Sequence, residues 1–234
     1  MTDPIEAIAF YGVFVFAVTV HEASHALAAK LGGDLTAYNG GQVSLDPTPH
    51  MKREPFGMVI LPILSVGLMG WPLGYASAPY DPRWAVRYPK RAAWMALAGP
   101  AANLALAIIA AMLVRIGLMV GVFEAPQSIH FSQITAAVGN PSGLMGGGVF
   151  ILSIFFSLNL LLFVLNMIPL PPLDGSGALP LILPDEWLDS YRALIHQPMV
   201  GLIGIVIVWN LLGEVFSPFL LFMIGLLYPG IQYG

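Results

Sequence analysis

His21-Glu22-Ala23-Ser24-His25 puts two imidazoles and a carboxylate within little more than one turn of otherwise apolar sequence, and no other stretch of the chain is as chemically loaded. On a helix, residues four apart share a face, so both rings can bind one zinc ion while Glu22 stands beside them as a base for an attacking water. A five-residue HExxH pattern by itself fits either a metalloprotease or an unrelated histidine pair. A catalytic zinc site uses three protein ligands and keeps one position open, so the chain must supply a third. Asp174 is the candidate. It is the one acidic residue of the run Asn166 to Gly175, where prolines break a helix and deliver a carboxylate at its end.

The elements that must bring these residues together follow from composition. Of 234 residues, 57% are hydrophobic and 9% charged, where an ordinary soluble domain carries about 25% charged residues. The chain therefore reads as one membrane-embedded domain over 1–234, all-α and polytopic, with about four transmembrane helices in a lipid bilayer. The expected spans are Ile5 to Leu31, Ala92 to Val120, Gly148 to Ile168 and Met199 to Tyr228. The first follows an acidic start and carries the histidines, so it is expected to be retained rather than removed as a signal peptide. With no cysteine there is neither a disulfide framework nor a thiolate site, and a net charge of -4 without a basic cluster gives nucleic-acid binding no support.

Two segments are less regular. Gly40 to Leu45 alternates after a glycine turn and is expected to form a short membrane-associated β element, at about 39–48, whose edge could pair with an extended peptide. Residues 56–78 are apolar but interrupted by Pro62, Gly67, Gly70, Pro72 and Gly74. Lys52 and Arg53 precede them, and Arg83, Arg87, Lys90 and Arg91 follow, so both flanks carry the basic mark of a cytoplasmic loop. The segment is accordingly read as re-entrant or interfacial, with Tyr80, Trp84 and Tyr88 as interfacial anchors. That reading has a geometric consequence. If 56–78 does not cross, the second span runs out, the third runs back in, and Asp174 emerges at the depth of His21 and His25. If it does cross, Asp174 lies near the opposite face, tens of ångströms away.

Three motifs together, His21-Glu22-Ala23-Ser24-His25, Gly99-Pro100-Ala101-Ala102-Asn103 and Asn166 through Gly175, resemble the site-2 protease family of intramembrane zinc metalloproteases, in the family's order and over about residues 5 to 175. The resemblance implies His21, His25 and Asp174 as ligands of one zinc ion and Glu22 as the catalytic acid/base, with Asn166 and Asn103 holding substrate or shaping the site. It also implies hydrolysis of peptide bonds within or next to transmembrane segments of other proteins. The compact form, with no room for a PDZ domain in the Gly121 to Gly147 loop and no regulatory domain after the last span, is expected of a prokaryotic inner-membrane protein with its site toward the cytoplasm. The alternative is a non-hydrolytic zinc-binding scaffold or ion carrier, which would need ligands but no base such as Glu22.

The remaining polar residues have plainer readings. Asn159 is expected to serve packing or interhelical bonding. His50, His130 and His196 fall in loop-like sequence and are expected at the surface. Glu214, near the middle of the last span, is expected to pair with Arg115 or to stay protonated. Asp185 to Ile195 reads as a short interfacial helix capped by Asp185. Nothing in the sequence addresses oligomeric state.

Overall fold

A computed structural model describes residues 4–139 and 143–233. Among these residues, four helices are long and apolar enough to cross a membrane: α1 (Pro4–Gly32), α6 (Pro89–Met119), α7 (Leu144–Met167) and α10 (Pro198–Leu227). At 1.5 Å per residue even α7, with 24 residues, is about 36 Å long, more than a hydrocarbon core of roughly 30 Å. Between them lie α2 (Thr36–Asn39), α3 (Thr48–Arg53), a π-helical turn (Phe56–Ile60) continuing into α4 (Leu61–Met69), and α5 (Pro82–Arg87). After α7 come α8 (Asp174–Ala178) and α9 (Leu188–Ile195).

Three apolar clusters hold the bundle. Phe10, Val13, Phe14 and Val18 of α1 meet Met58 and the Ile154 and Leu158 side chains of α7. Ala107, Ala110 and Val114 of α6 meet Phe156 and Leu160 of α7 and Ile224 and Leu227 of α10. Ala29 of α1, Trp84 of α5 and Met95 of α6 form the third. Small residues in these contacts let backbones approach closely, which is how helices associate where lipid removes the hydrophobic drive.

Segment 56–78 turns back on itself. Tyr75 N–H donates to the Gly57 carbonyl at 3.1 Å, and the Arg53 side chain donates to the Ser77 carbonyl at 3.2 Å. The Ser77 hydroxyl donates to Glu54 at 2.5 Å. The helical arm is 14 residues, about 21 Å, too short to span. A side chain at 57 would meet the Tyr75 carbonyl at 2.2 Å, so glycine is what allows the returning arm to lie against the outgoing one.

Several expectations are corrected. No strand forms at 39–48. Ser44 Oγ accepts from Asp46 N–H and Asp46 Oδ1 from Thr48 N–H, and these local bonds fold the segment into turns leading into α3. A lone six-residue strand has no partner to offer its backbone. The small sheet lies instead in the loop after α6, where β1 (Phe123–Glu124) pairs antiparallel with β2 (Ala136–Ala137). His50 is 1% exposed, its Nε2 lying 3.1 Å from the Ser44 carbonyl, because α3 turns that ring inward. Trp84 is buried and donates its indole N–H to Gly32 O, closing the end of α1 rather than anchoring in the interface. Arg115 donates to the Leu227 carbonyl at 2.9 Å and leaves Glu214 on the outer face of α10. Asp185 caps nothing. It begins a 3-10 turn ahead of α9 and faces Lys90 at 3.3 Å. His130 and His196 are exposed, as read.

Candidate metal centre

The His21 and His25 side chains lie one turn apart on the buried face of α1, and α6 and α7 pack against that helix. Both rings are buried, with centroids 4.6 Å apart and planes at 82°. Asp174 arrives from the far end of the sequence. Beyond the end of α7, Leu170 N–H bonds the Ile168 carbonyl and Leu173 N–H the Leu170 carbonyl, so the chain reverses tightly before α8. Asp174 is the first residue of that helix. The Tyr191 hydroxyl on α9 donates to Ser176 O at 2.6 Å and holds α8 from outside.

Three donor atoms converge. His21 Nε2 lies 3.0 Å from Asp174 Oδ2, His25 Nε2 lies 3.3 Å from the same oxygen, and the two nitrogens are 3.0 Å apart. Glu22 is 4% exposed and groups with the two histidines, its ligand atom within 4.8 Å of theirs, and its Oε2 has no hydrogen-bond partner among the described residues.

The second motif acquires a physical meaning here. A Cβ at Gly99 would stand 2.3 Å from His25 Nε2 and 2.6 Å from His21 Nε2. One turn further along α6, Asn103 Oδ1 is 2.5 Å from His21 Nδ1. His25 Nδ1 is 2.6 Å from the Met95 carbonyl and donates its N–H there, because a carbonyl can only accept. Pro100 lies inside α6, where it has no N–H to donate to the carbonyl four residues back. Each ring thus has a partner at Nδ1 and turns Nε2 toward Asp174, the arrangement by which a second shell orients ligating histidines.

Asn103 is fully buried beside the cluster. Asn166 is half-buried and donates to the Leu162 carbonyl of its own helix at 3.0 Å, with no bond to the converging side chains. Sequence reading missed the Met95 contribution, a backbone carbonyl invisible to residue type, and did not connect Gly99 or Asn159 with the two rings. Gly99 faces the candidate ligand nitrogens, and Asn159 accepts from Asn103 at 2.9 Å, the interhelical bond expected of it. The i, i+4 spacing of Gly99 and Asn103 was the signal that could have placed Gly99 on the site beside Asn103.

Comparison with known proteins follows the same outline. YwhC of Bacillus subtilis (strain 168), named as a candidate zinc metalloprotease, is 31% identical over 205 residues, 85% of this chain and 83% of that protein. Rip2 of Mycolicibacterium smegmatis, named in the same way, is 27% identical over 212 residues, 88% of this chain and 70% of that protein. No solved structure matches the chain. The model of peptidase family M50 matches residues 9–209, so the span carrying both histidines, the glycine-proline turn and Asp174 belongs, with most of the chain, to peptidase family M50, the site-2 protease family.

Proposed function

We propose that the chain is an intramembrane zinc endopeptidase in which His21, His25 and Asp174 hold one zinc ion and Glu22 is the general acid/base. The observation that carries this is the convergence of two buried imidazole nitrogens and the part-buried Asp174 carboxylate at 3.0, 3.0 and 3.3 Å, beside the Glu22 carboxylate, whose Oε2 has no partner among the described residues. Donors bonded to zinc at about 2.0–2.1 Å in tetrahedral directions stand roughly 3.3 Å apart, so the spacing fits the ion with little adjustment. The position a Cβ would fill at Gly99, 2.3 and 2.6 Å from the two nitrogens, lies near bonding distance. Glycine there keeps open the volume an ion needs.

Zinc, when bound, supplies a Lewis acid that polarises a peptide carbonyl and lowers the pKa of water. The chain's own residues do the rest. Asn103 and the Met95 carbonyl fix the ring orientations through Nδ1. Glu22 takes a proton from the attacking water and returns it to the leaving amine, and its burial excludes competing solvent. A transmembrane substrate has its carbonyls engaged in helix bonds and must unwind locally before attack, so peptide bonds within or next to spanning segments are the expected targets. Asn166, half-buried at the end of α7 with its carbonyl oxygen unbonded among the described residues, is a candidate contact for the opened backbone.

The basic residues Lys52, Arg53, Arg83, Arg87, Lys90 and Arg91 flank the re-entrant segment, which supports a site toward the cytoplasmic side of a prokaryotic cell membrane. The whole described chain acts as one catalytic domain. The test mixes purified protein with candidate membrane substrates in vesicles. Wild type cleaves, and Glu22→Gln loses at least about 10²-fold, the lower end of what a positioned acid/base contributes. Equal cleavage by Glu22→Gln refutes the assignment, and bound zinc without turnover favours a scaffold.

A further inference from the structure

Asn159 and Asn103 are both 0% exposed and form the only route from α7 to a candidate ligand among the described hydrogen bonds. Asn159 Nδ2 donates to the Phe155 carbonyl at 2.8 Å, Asn159 Oδ1 accepts from Asn103 Nδ2 at 2.9 Å, and Asn103 Oδ1 faces His21 Nδ1 at 2.5 Å. An amide can be turned either way round, but a backbone carbonyl can only accept. Phe155 O therefore sets the direction of Asn159, which sets the direction of Asn103. A second carbonyl, Ala17 O, lies 3.4 Å from Asn103 Nδ2 and favours the same choice. Reversing either amide would put oxygen against oxygen at one or both carbonyls, in a buried site where an unmade bond costs about 1–3 kcal/mol. With both amides so directed, His21 must present N–H at Nδ1, and its Nε2 is left with a lone pair.

We propose that Asn159 is a positioning residue which, through Asn103, holds His21 in the tautomer whose Nε2 lone pair faces His25 and Asp174. The inference rests on the ligand role of His21 proposed above. Ala17 O alone holds Asn103 weakly, since 3.4 Å is beyond the usual N–H···O range of about 2.7–3.2 Å. Asn159 thus supplies the direction that the 3.4 Å contact does not.

Two readouts test this, both on the full chain in detergent or bilayer. The first is zinc affinity by competition with a chelator. Asn159→Leu, close in size but with no hydrogen-bonding group, loses about 10–100-fold, the usual cost of removing an outer-shell partner. Asn159→Asp presents an oxygen to Asn103 in either protonation state and stays within about threefold of wild type. Asn103→Leu combined with Asn159→Leu loses no more than Asn103→Leu alone, because the first change already cuts the chain. Folded Asn159→Leu with wild-type affinity, or a double variant whose losses multiply, overturns the proposal. Should Asn159→Leu not fold, Asn159→Ala is read by the same comparison.

The second readout is the nitrogen NMR spectrum of the His21 ring in metal-free protein. In wild type and Asn159→Asp the ring always carries a proton at Nδ1, and in Asn159→Leu it does so only in part. A wild-type ring protonated at Nε2 instead of Nδ1 refutes the inference whether or not the protein proves to be a protease. Wild type that binds no zinc but holds the Nδ1–H form sinks the proposed function and leaves this inference standing.

Discussion

Replacing Gly99 by alanine tests the centre most sharply. The added Cβ would lie 2.3 Å from His25 Nε2 and 2.6 Å from His21 Nε2, against a normal carbon–nitrogen contact of about 3.4 Å. The helices or the rings must therefore move apart by roughly 0.8–1.1 Å. Overpacking of this kind costs about 1–3 kcal/mol, while alanine in place of a helical glycine returns about 0.5–1 kcal/mol of propensity. The net effect on metal-free stability is thus small, between about no change and 2.5 kcal/mol. The effect on metal binding is not small. Ligand distances tolerate only about ±0.2 Å, so a ring displaced by close to 1 Å no longer coordinates, and misplacement on that scale costs about 10²-fold in rate. The expected outcome is a folded variant with zinc affinity reduced at least about 100-fold and proteolysis lost in parallel, read by zinc content after dialysis and by cleavage in vesicles. Gly12→Ala is the control, since a Cβ at Gly12 meets nothing within 4 Å. Wild-type zinc affinity in Gly99→Ala would refute the placement of α6 against the histidines.

Asp174→Ala should lose zinc about as completely as His21→Ala while leaving the bundle helical, measured by metal content and circular dichroism, and undiminished binding would remove Asp174 from the ligand set. Asp34, in the loop after α1, gives a pH test. Burial acts to raise its carboxyl, but hydrogen bonds from the Thr36 hydroxyl, the Thr36 N–H and the Asp81 N–H outweigh it and hold the group below its ordinary value. A carboxyl lowered on folding stabilises the protein above its unfolded value, and that contribution is lost as the pH falls through the lowered one. Asp34→Asn should therefore melt below wild type at pH 7, and the gap should close in acid. A gap that is constant from pH 7 to pH 3 would contradict this reading.

Much of the architecture is legible in the sequence because a bilayer leaves few options. Four long apolar runs must be helices that satisfy their own backbone, and the basic residues on both flanks of 56–78 indicated a segment that does not cross. From that parity alone Asp174 was expected at the depth of the histidines, and it lies 3.0 Å from His21. Residue type also marked His21, Glu22 and His25, since charge and imidazole are costly at membrane depth unless they are used.

Tertiary structure decided what residue type cannot express. The alternation at Gly40 to Leu45 resembled a strand, but a strand exists only with a partner, and the Ser44 and Asp46 side chains offered local bonds instead. His50 and Trp84 looked peripheral until α3 and the end of α1 closed over them. Glu214 and Arg115 are both polar residues in long helices, yet helix rotation sends one outward and the other to the Leu227 carbonyl. Most of all, the sequence determined which atoms could bind a metal, while packing of α6 and α7 against α1 determined which nitrogen of each ring is free to do so. That choice depends on the Met95, Phe155 and Ala17 carbonyls, which every amino acid carries and only a fold can aim.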